Sequence, residues 1–92
     1  MTDVIDTPTA EEINQHFNAC GHSVDLINGI IAGTEMADDT DEDKNDAVDR
    51  NVRHLEIQVA KDWYVADSES RTAPADKASI SAAITAGNTY LA

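Results

Sequence analysis

The acidic stretch TEMADDTDEDK, residues 34–44, holds the densest set of side chains that could do chemistry. Four oxygen-bearing residues in and just after this stretch fall at alternate positions, as the ligands of a calcium-binding EF-hand loop do: Asp39, Asp41, Asp43 and Asn45. In that register Lys44 stands where the tight turn needs glycine, and Arg50 stands where a glutamate must close the site. The pattern therefore predicts a solvated acidic connection without specific calcium binding.

A second set, Glu12, His16 and Cys20, is spaced by four residues and so shares one face of a helix, with His22 nearby. Carboxylate, imidazole and thiolate groups are all zinc ligands. A closed zinc site takes four of them, usually with paired short spacings such as Cys-x-x-Cys. The chain has one cysteine and no such pair. We therefore predict no metal and no other cofactor.

Cys20 and His16 also stand one helical turn apart, as a nucleophile and its base do in some enzymes. Cys20, however, falls on an apolar helix face, where burial raises the pKa of a thiol and shields it from substrate. The sequence has no glycine-rich phosphate loop and no G-x-S-x-G motif. These observations predict that the protein is not an enzyme and that its thiol is inert.

The helix that carries these residues has apolar side chains at steps of four and three: Ile13, Phe17, Cys20, Val24, Ile27 and Ile31. This period predicts a helix over about 9–32 that packs along its length against a similar helix. Thr9 with Glu12 fits a capping box, and Gly33 fits a left-handed C-terminal residue. Asn28-Gly29 is also typical of a β-hairpin turn, an alternative whose strands of about four residues would be marginally stable.

A second helix over about 41–64 is predicted by a similar apolar seam: Val48, Val52, Leu55, Val59 and Trp63. Thr40 or Asp41 can cap its first turn. The acidic loop 34–40 is short, so the two helices are expected to form a long antiparallel hairpin.

A short third helix over about 76–91 is predicted at the end of the chain, with one apolar face: Ile80, Ala83, Ile84, Gly87 and Leu91. Residues 66–75 are small and polar and include Pro74, which indicates a linker. Residues 1–8 are predicted to be an N-terminal tail. The expected fold is therefore a single all-α domain.

The formal net charge of −12 is concentrated in one half of the chain. Residues 1–43 contain eleven acids and no lysine or arginine, whereas residues 44–92 contain seven acids and six bases. The electrostatic field of these carboxylates repels nucleic acid and anionic membranes and favours a basic partner. No apolar run is long enough to span a membrane, and the N-terminus lacks the basic start and apolar block of a signal peptide.

Several apolar side chains lie beside the two seams, where a single hairpin cannot bury them. A domain of 92 residues buries only a little over ~60% of its unfolded surface, so a partner would enlarge its core. A symmetric self-contact is the common way to cover such residues. We predict a homo-oligomer whose interface includes Leu26, Ile30, Ile57, Tyr64 and Ile84.

Two stretches carry a resemblance: RNVRHLEIQVAKDWY, residues 50–64, and SISAAITAGNTYLA, residues 79–92. Over roughly a third of the chain they are similar to small, mostly uncharacterised proteins of tailed bacteriophages. The resemblance implies a virion or assembly role rather than catalysis, and a location in the virion or the host cytoplasm. It implies no particular functional residue.

Two functional hypotheses follow. The first is a structural or assembly protein that self-associates and docks on a larger protein assembly such as a phage particle. The second is an acidic inhibitor or nucleic-acid mimic that occupies a basic groove of a host protein. A mimic needs charges spaced along one rigid surface, whereas eight acids crowd between Glu35 and Asp49, mostly in or near a loop.

Overall fold

A computed structural model describes residues 9–92, and the predicted tail, residues 1–8, lies outside them. The described chain forms four α-helices and one 3-10 turn: α1 (Ala10–Ala32), α2 (Asp41–Val59), α3 (Asp62–Asp67), the turn Ser68–Ser70 and α4 (Lys77–Leu91). Residues 9–92 contain no β-strand, which confirms the all-α prediction. In this part of the chain, no helix combines the length and the apolar character needed to cross a membrane.

The ends of α1 follow from its capping residues. The Glu12 backbone N–H donates to the Thr9 hydroxyl, and the Thr9 backbone N–H donates to the Glu12 carboxylate, which completes the predicted capping box. Gly33 ends the helix with φ of 85°, a conformation that glycine adopts without steric cost. Asn28 and Gly29 are helical, so the alternative β-hairpin is wrong.

The apolar seam of α1 departs from the predicted period at its last step. Ile30 is buried, whereas Ile31, the predicted seam residue, is 41% exposed. The cause is the position of α2, which packs on the side of α1 that carries Ser23, where the Ser23 hydroxyl lies 3.0 Å from His54 Nδ1. Ile30 is seven residues beyond Ser23 and shares that face.

The second helix is shorter than predicted. It begins as expected, with the Thr40 hydroxyl accepting from the Asp43 N–H, but it ends at Val59 instead of continuing to residue 64. Lys61 is extended, and a new helix, α3, starts at Asp62. The break orients Trp63 and Tyr64 so that both rings contact Phe17 of α1. Packing of the aromatic side chains therefore overrides the helical period.

Three long helices surround one core. The Ser23–His54 contact joins residues on either side of the 33–40 connection, so α1 and α2 pack against each other. The third long helix, α4, packs against both of them. The core side chains come from all three and from α3: Phe17, Cys20, Val24, Ile27, Ile30, Ala47, Val48, Val52, Leu55, Tyr64, Ile80 and Ala83.

The predicted linker, residues 66–75, is more structured than its composition indicates. It contains the end of α3 and the 3-10 turn, in which Ser68 is buried. Further along, Pro74 and Ala75 face Gly21 of α1, where they leave just enough space for a Cβ. This segment therefore packs on α1, which lies far from it in sequence.

Gly87 permits the close approach of α4 to the other helices, because a Cβ at this position would overlap the Val52 side chain. We expect Gly87→Ala to lower the free energy of unfolding by about 1–3 kcal/mol through overpacking, despite its better helix propensity. Gly21→Ala is the matched control, because a Cβ inside α1 at this position would meet its neighbours only at ordinary contact distance. This variant is expected to gain up to about 1 kcal/mol. Urea unfolding followed by circular dichroism measures both, and equal effects would contradict the packing described for α4.

Candidate protein-binding groove

An aromatic cluster fixes α3 to the first half of α1. The Phe17 ring lies 5.3 Å, centroid to centroid, from Trp63 in an edge-to-face arrangement and 5.8 Å from Tyr64. The exposed His16 ring stacks on Trp63 at 4.9 Å. Such pairs stabilise by roughly 0.5–1.5 kcal/mol each beyond their buried area. They hold a helix of six residues, which is too short to be stable alone.

Arg71 secures the segment that follows α3. Its guanidinium lies 4.3 Å from the centroid of the Phe17 ring, a cation–π contact, and donates hydrogen bonds to the side chains of Asn14 and Asp67. The hydrogen bond from Arg71, with another from the Ser70 hydroxyl, lowers the pKa of Asp67. Sequence reasoning missed Arg71, although it is the one base between Lys61 and Lys77.

A groove of about 350 Å³ lies between α3 with its 3-10 turn and α4. Its apolar lining comes from three helices: Val59, Val65 and Ile84. Val65 is 71% exposed, the highest exposure of any large apolar side chain in residues 9–92. Val59 and Ile84 are half-buried against the core. The groove thus offers solvent an apolar surface that the core does not cover.

The other side of the groove is polar. Ser68, Glu69 and Lys77 line it and also line an adjoining concavity of about 450 Å³ that includes Asp76. At the rim, Lys77 Nζ lies 3.5 Å from Glu69 Oε2, in an exposed ion pair. Such pairs contribute little, about 0–1 kcal/mol. This rim can therefore rearrange at small cost when another molecule approaches.

The predicted interface residues differ in their exposure. Ile30 and Tyr64 are buried in the core of their own chain, and Phe17 packs against Tyr64. Leu26 and Ile84 are half-buried against that core. Ile57 is 57% exposed and lies outside the groove, beside Arg53 and Lys61. The structure therefore leaves Ile57 exposed and Leu26 and Ile84 partly accessible.

The residues considered for catalysis or metal binding are separated. Cys20 is completely buried, and burial raises the pKa of its thiol to about 11. His16 instead points to the surface, where it stacks on Trp63. In residues 9–92, no three His, Cys, Asp or Glu side chains are grouped so that they could hold a metal ion.

Ser23 and His54 form the one serine–histidine pair found in the described chain, with 3.0 Å between Ser23 Oγ and His54 Nδ1. Ser23 is 4% exposed and sits in the middle of α1, against α2. A nucleophile in this position cannot reach a substrate. The imidazole instead gives the buried Ser23 hydroxyl a hydrogen-bond partner, without which that hydroxyl would destabilise the helix interface.

The acidic surface is partly neutralised by bases on the same helix. Asp49 lies 3.0 Å from Arg53, and Asp46 lies 4.0 Å from Arg50, each pair one helical turn apart on α2. The remaining acids of this region are exposed in the loop or in the first turn of α2. The three in the first turn, Asp41, Glu42 and Asp43, lie at the positive end of the helix dipole, which is a stabilising position for carboxylates.

The stability of the α1–α2 contact is expected to depend on pH through His54. Burial, followed by the charge of His16, lowers the pKa of His54 in the folded chain. As pH falls below about 6.5 the unfolded chain takes up this proton first, so stability is full above that pH and is lost below it. His54→Asn keeps an acceptor near the Ser23 hydroxyl but does not titrate.

Urea midpoints at pH 7.5 and 5.5 measure this effect. We expect the wild-type midpoint to fall more than that of His54→Asn, since the other titrating groups are common to both proteins. Parallel pH dependence in the two proteins would contradict a role for His54.

Comparison of the chain with protein-family models, curated proteins and solved structures finds no match.

Proposed function

We propose that this protein is a non-enzymatic structural or assembly component that works by docking on a larger protein assembly. The observation that carries this proposal is the groove between α3 and α4, where Val65 stands exposed beside Val59 and Ile84. Exposed apolar surface next to polar groups is typical of protein-binding sites. The resemblance to tailed-phage proteins suggests a phage particle, or an intermediate in its assembly, as the larger partner.

Self-association is a further part of the proposal. Its support in the described chain is the exposed Ile57 on α2. Ile57→Asp is expected to reduce the mass measured by light scattering to the 9.9 kDa of one chain while circular dichroism remains unchanged. A wild-type protein that already has the mass of one chain at high concentration would contradict self-association.

The function as an assembly component is tested on purified particles. A tagged chain, expressed from its own locus, is followed through gradient purification of the phage, first at physiological salt and then at 1 M salt. Docking through apolar contacts predicts a fixed copy number per particle that survives the high-salt wash, because salt screens charges but does not weaken hydrophobic contact. Recovery of the chain in the soluble fraction alone would overturn the proposal.

The second candidate, an acidic inhibitor or nucleic-acid mimic, is favoured by one observation. Glu42, Asp46 and Asp49 line one side of an open depression on the rigid helix α2. Pairing of two of these acids with Arg50 and Arg53 weakens the surface that a basic groove would recognise. This function predicts that the chain binds a host protein at low salt and loses most of that affinity at physiological salt, because charge-driven binding weakens steeply as the salt concentration rises.

A further inference from the structure

The boundary between α2 and α3 is confined to one backbone torsion angle. Ala60, which follows the last residue of α2, has φ of −85° and ψ of −5°, within about 40° of the values of an α-helix. Lys61 also has a near-helical φ, −81°, but its ψ of 146° is extended. Rotation of this single ψ to about −42° therefore joins α2 and α3 into one continuous helix.

Local sequence signals favour that continuous helix. The segment 58–67 contains neither glycine nor proline, and Ala60 and Lys61 are good helix formers. The apolar period of α2 runs on to Trp63, and α3 has no side-chain capping hydrogen bond at its start. The break is instead imposed by tertiary structure, because two aromatic rings of α3 pack on Phe17.

A continuous helix would carry α3 and α4 away from the rest of the chain. The inner face of α4 is buried, with Ile80 at 0% and Ala83 at 1% exposure, and Gly87 lies close against Val52 of α2. Exposing these surfaces to water is unfavourable, so a straightened chain needs the same α1–α2 surface from elsewhere. A second copy that has straightened in the same way supplies it, and the contacts of the folded chain are remade between the two copies.

We propose that this protein self-associates by exchange of α3 and α4 between two copies, with Lys61 as the hinge. This inference rests on the self-association in the proposed function and gives its mechanism. Each half of the dimer combines α1 and α2 of one copy with α3 and α4 of the other. The groove is kept, but Val59 comes from one copy and Val65 and Ile84 come from the other.

The surroundings of the hinge suit a second copy. Ile57 is 57% exposed and lies one turn before Lys61. In a symmetric exchanged dimer the two hinges lie side by side near the axis, where Ile57 of each copy is covered. The acidic stretch, residues 34–44, is instead at the start of α2, a helix of 19 residues that is about 28 Å long. This length exceeds the ~8 Å over which physiological salt screens charge, so the two acidic stretches do not oppose contact at the hinges.

Asp62→Pro tests the hinge. Proline is favoured at the first position of a helix, and the extended Lys61 has the conformation preferred before a proline, so the break is preserved. Inside a continuous helix the same proline is disfavoured roughly a hundredfold. The exchanged dimer contains two such helices, so its association constant is expected to fall by a factor on the order of 10⁴. Circular dichroism and the urea midpoint are expected to stay at or above those of wild type.

Asp62→Ala is the matched control, because it removes the same exposed carboxylate but allows a continuous helix. Light scattering across a roughly hundredfold range of concentration measures the association. We expect wild type and Asp62→Ala to reach the mass of two chains, whereas Asp62→Pro keeps the mass of one. In the wild-type dimer, amide hydrogen exchange of residues 61–64 is expected to be slower than in the monomer, because these N–H groups then bond within one helix.

Four results would overturn the inference. They are a folded Asp62→Pro that retains the mass of two chains, an equal loss of association in Asp62→Ala, equal exchange of residues 61–64 in dimer and monomer, and a wild type with the mass of one chain at every concentration. The first and third would assign self-association to a surface contact instead. None of the four changes the outcome of the particle purification, so the exchange and the proposed assembly function fail separately.

Discussion

Phe17→Ala is expected to lower the free energy of unfolding by about 3–5 kcal/mol, the usual cost of removing a buried aromatic ring. Phe17 is 1% exposed and contacts both aromatic residues of α3 and the guanidinium of Arg71. A domain of 92 residues has a total stability on the order of 5–14 kcal/mol. The substitution is therefore expected to remove between about a fifth and all of this stability.

Phe17→Leu is the matched control, because leucine keeps apolar volume at the position but cannot form the aromatic and cation–π contacts. We expect Phe17→Leu to lower the free energy of unfolding by less than half as much as Phe17→Ala does. Urea unfolding followed by circular dichroism gives the two free energies, and Trp63, the one tryptophan of the chain, reports on α3 by its fluorescence. A loss below 1 kcal/mol in Phe17→Ala would show that the aromatic cluster does not anchor α3.

The groove depends on the same anchor. α3 buries Tyr64 against Phe17 on one side and presents Val65 to the groove on the other. A helix of six residues keeps its position only through such packing. We therefore expect Phe17→Ala to speed amide hydrogen exchange in α3 more than in α4, which has its own core residue, Ile80.

The long elements of this fold follow from local sequence signals. Thr9 with Glu12, Thr40 and Gly33 mark helix ends through hydrogen bonds and backbone conformations that involve only neighbouring residues. The apolar periods of α1 and α4 predict which faces are buried, because both helices are long enough for the period to repeat. These features are determined locally, so the sequence is sufficient to predict them.

The groove depends on contacts between residues distant in sequence. The break between α2 and α3 has no glycine or proline to mark it, and it arises because Trp63 and Tyr64 both pack on Phe17. The apolar period of α2 runs through this break without interruption, so the sequence predicts one continuous helix to residue 64. On that helix Tyr64 is predicted to be an interface residue, and Val65 is not identified. The composition of residues 66–75 likewise gave no sign that Arg71 would reach α1.

Val65→Asp is expected to lower the number of chains bound per phage particle at least tenfold. An aspartate here places an unpaired charge against the apolar part of the docked segment, and burying such a charge is strongly unfavourable. Because Val65 is 71% exposed in the free chain, the fold and its stability should change little. The loss would therefore come from docking rather than from unfolding.

The most direct test of docking through the groove is the copy number of the tagged chain in purified particles, measured by quantitative mass spectrometry for wild type, Val65→Asp and Asn18→Asp, a control that adds the same charge at an exposed position of α1 outside the groove. Equal circular dichroism spectra and urea midpoints of the three free proteins establish that their folds are intact. The groove predicts that wild type and Asn18→Asp retain the same copy number after a 1 M salt wash, whereas Val65→Asp is nearly absent. Retention of Val65→Asp at the wild-type copy number would show that the chain does not dock through this groove.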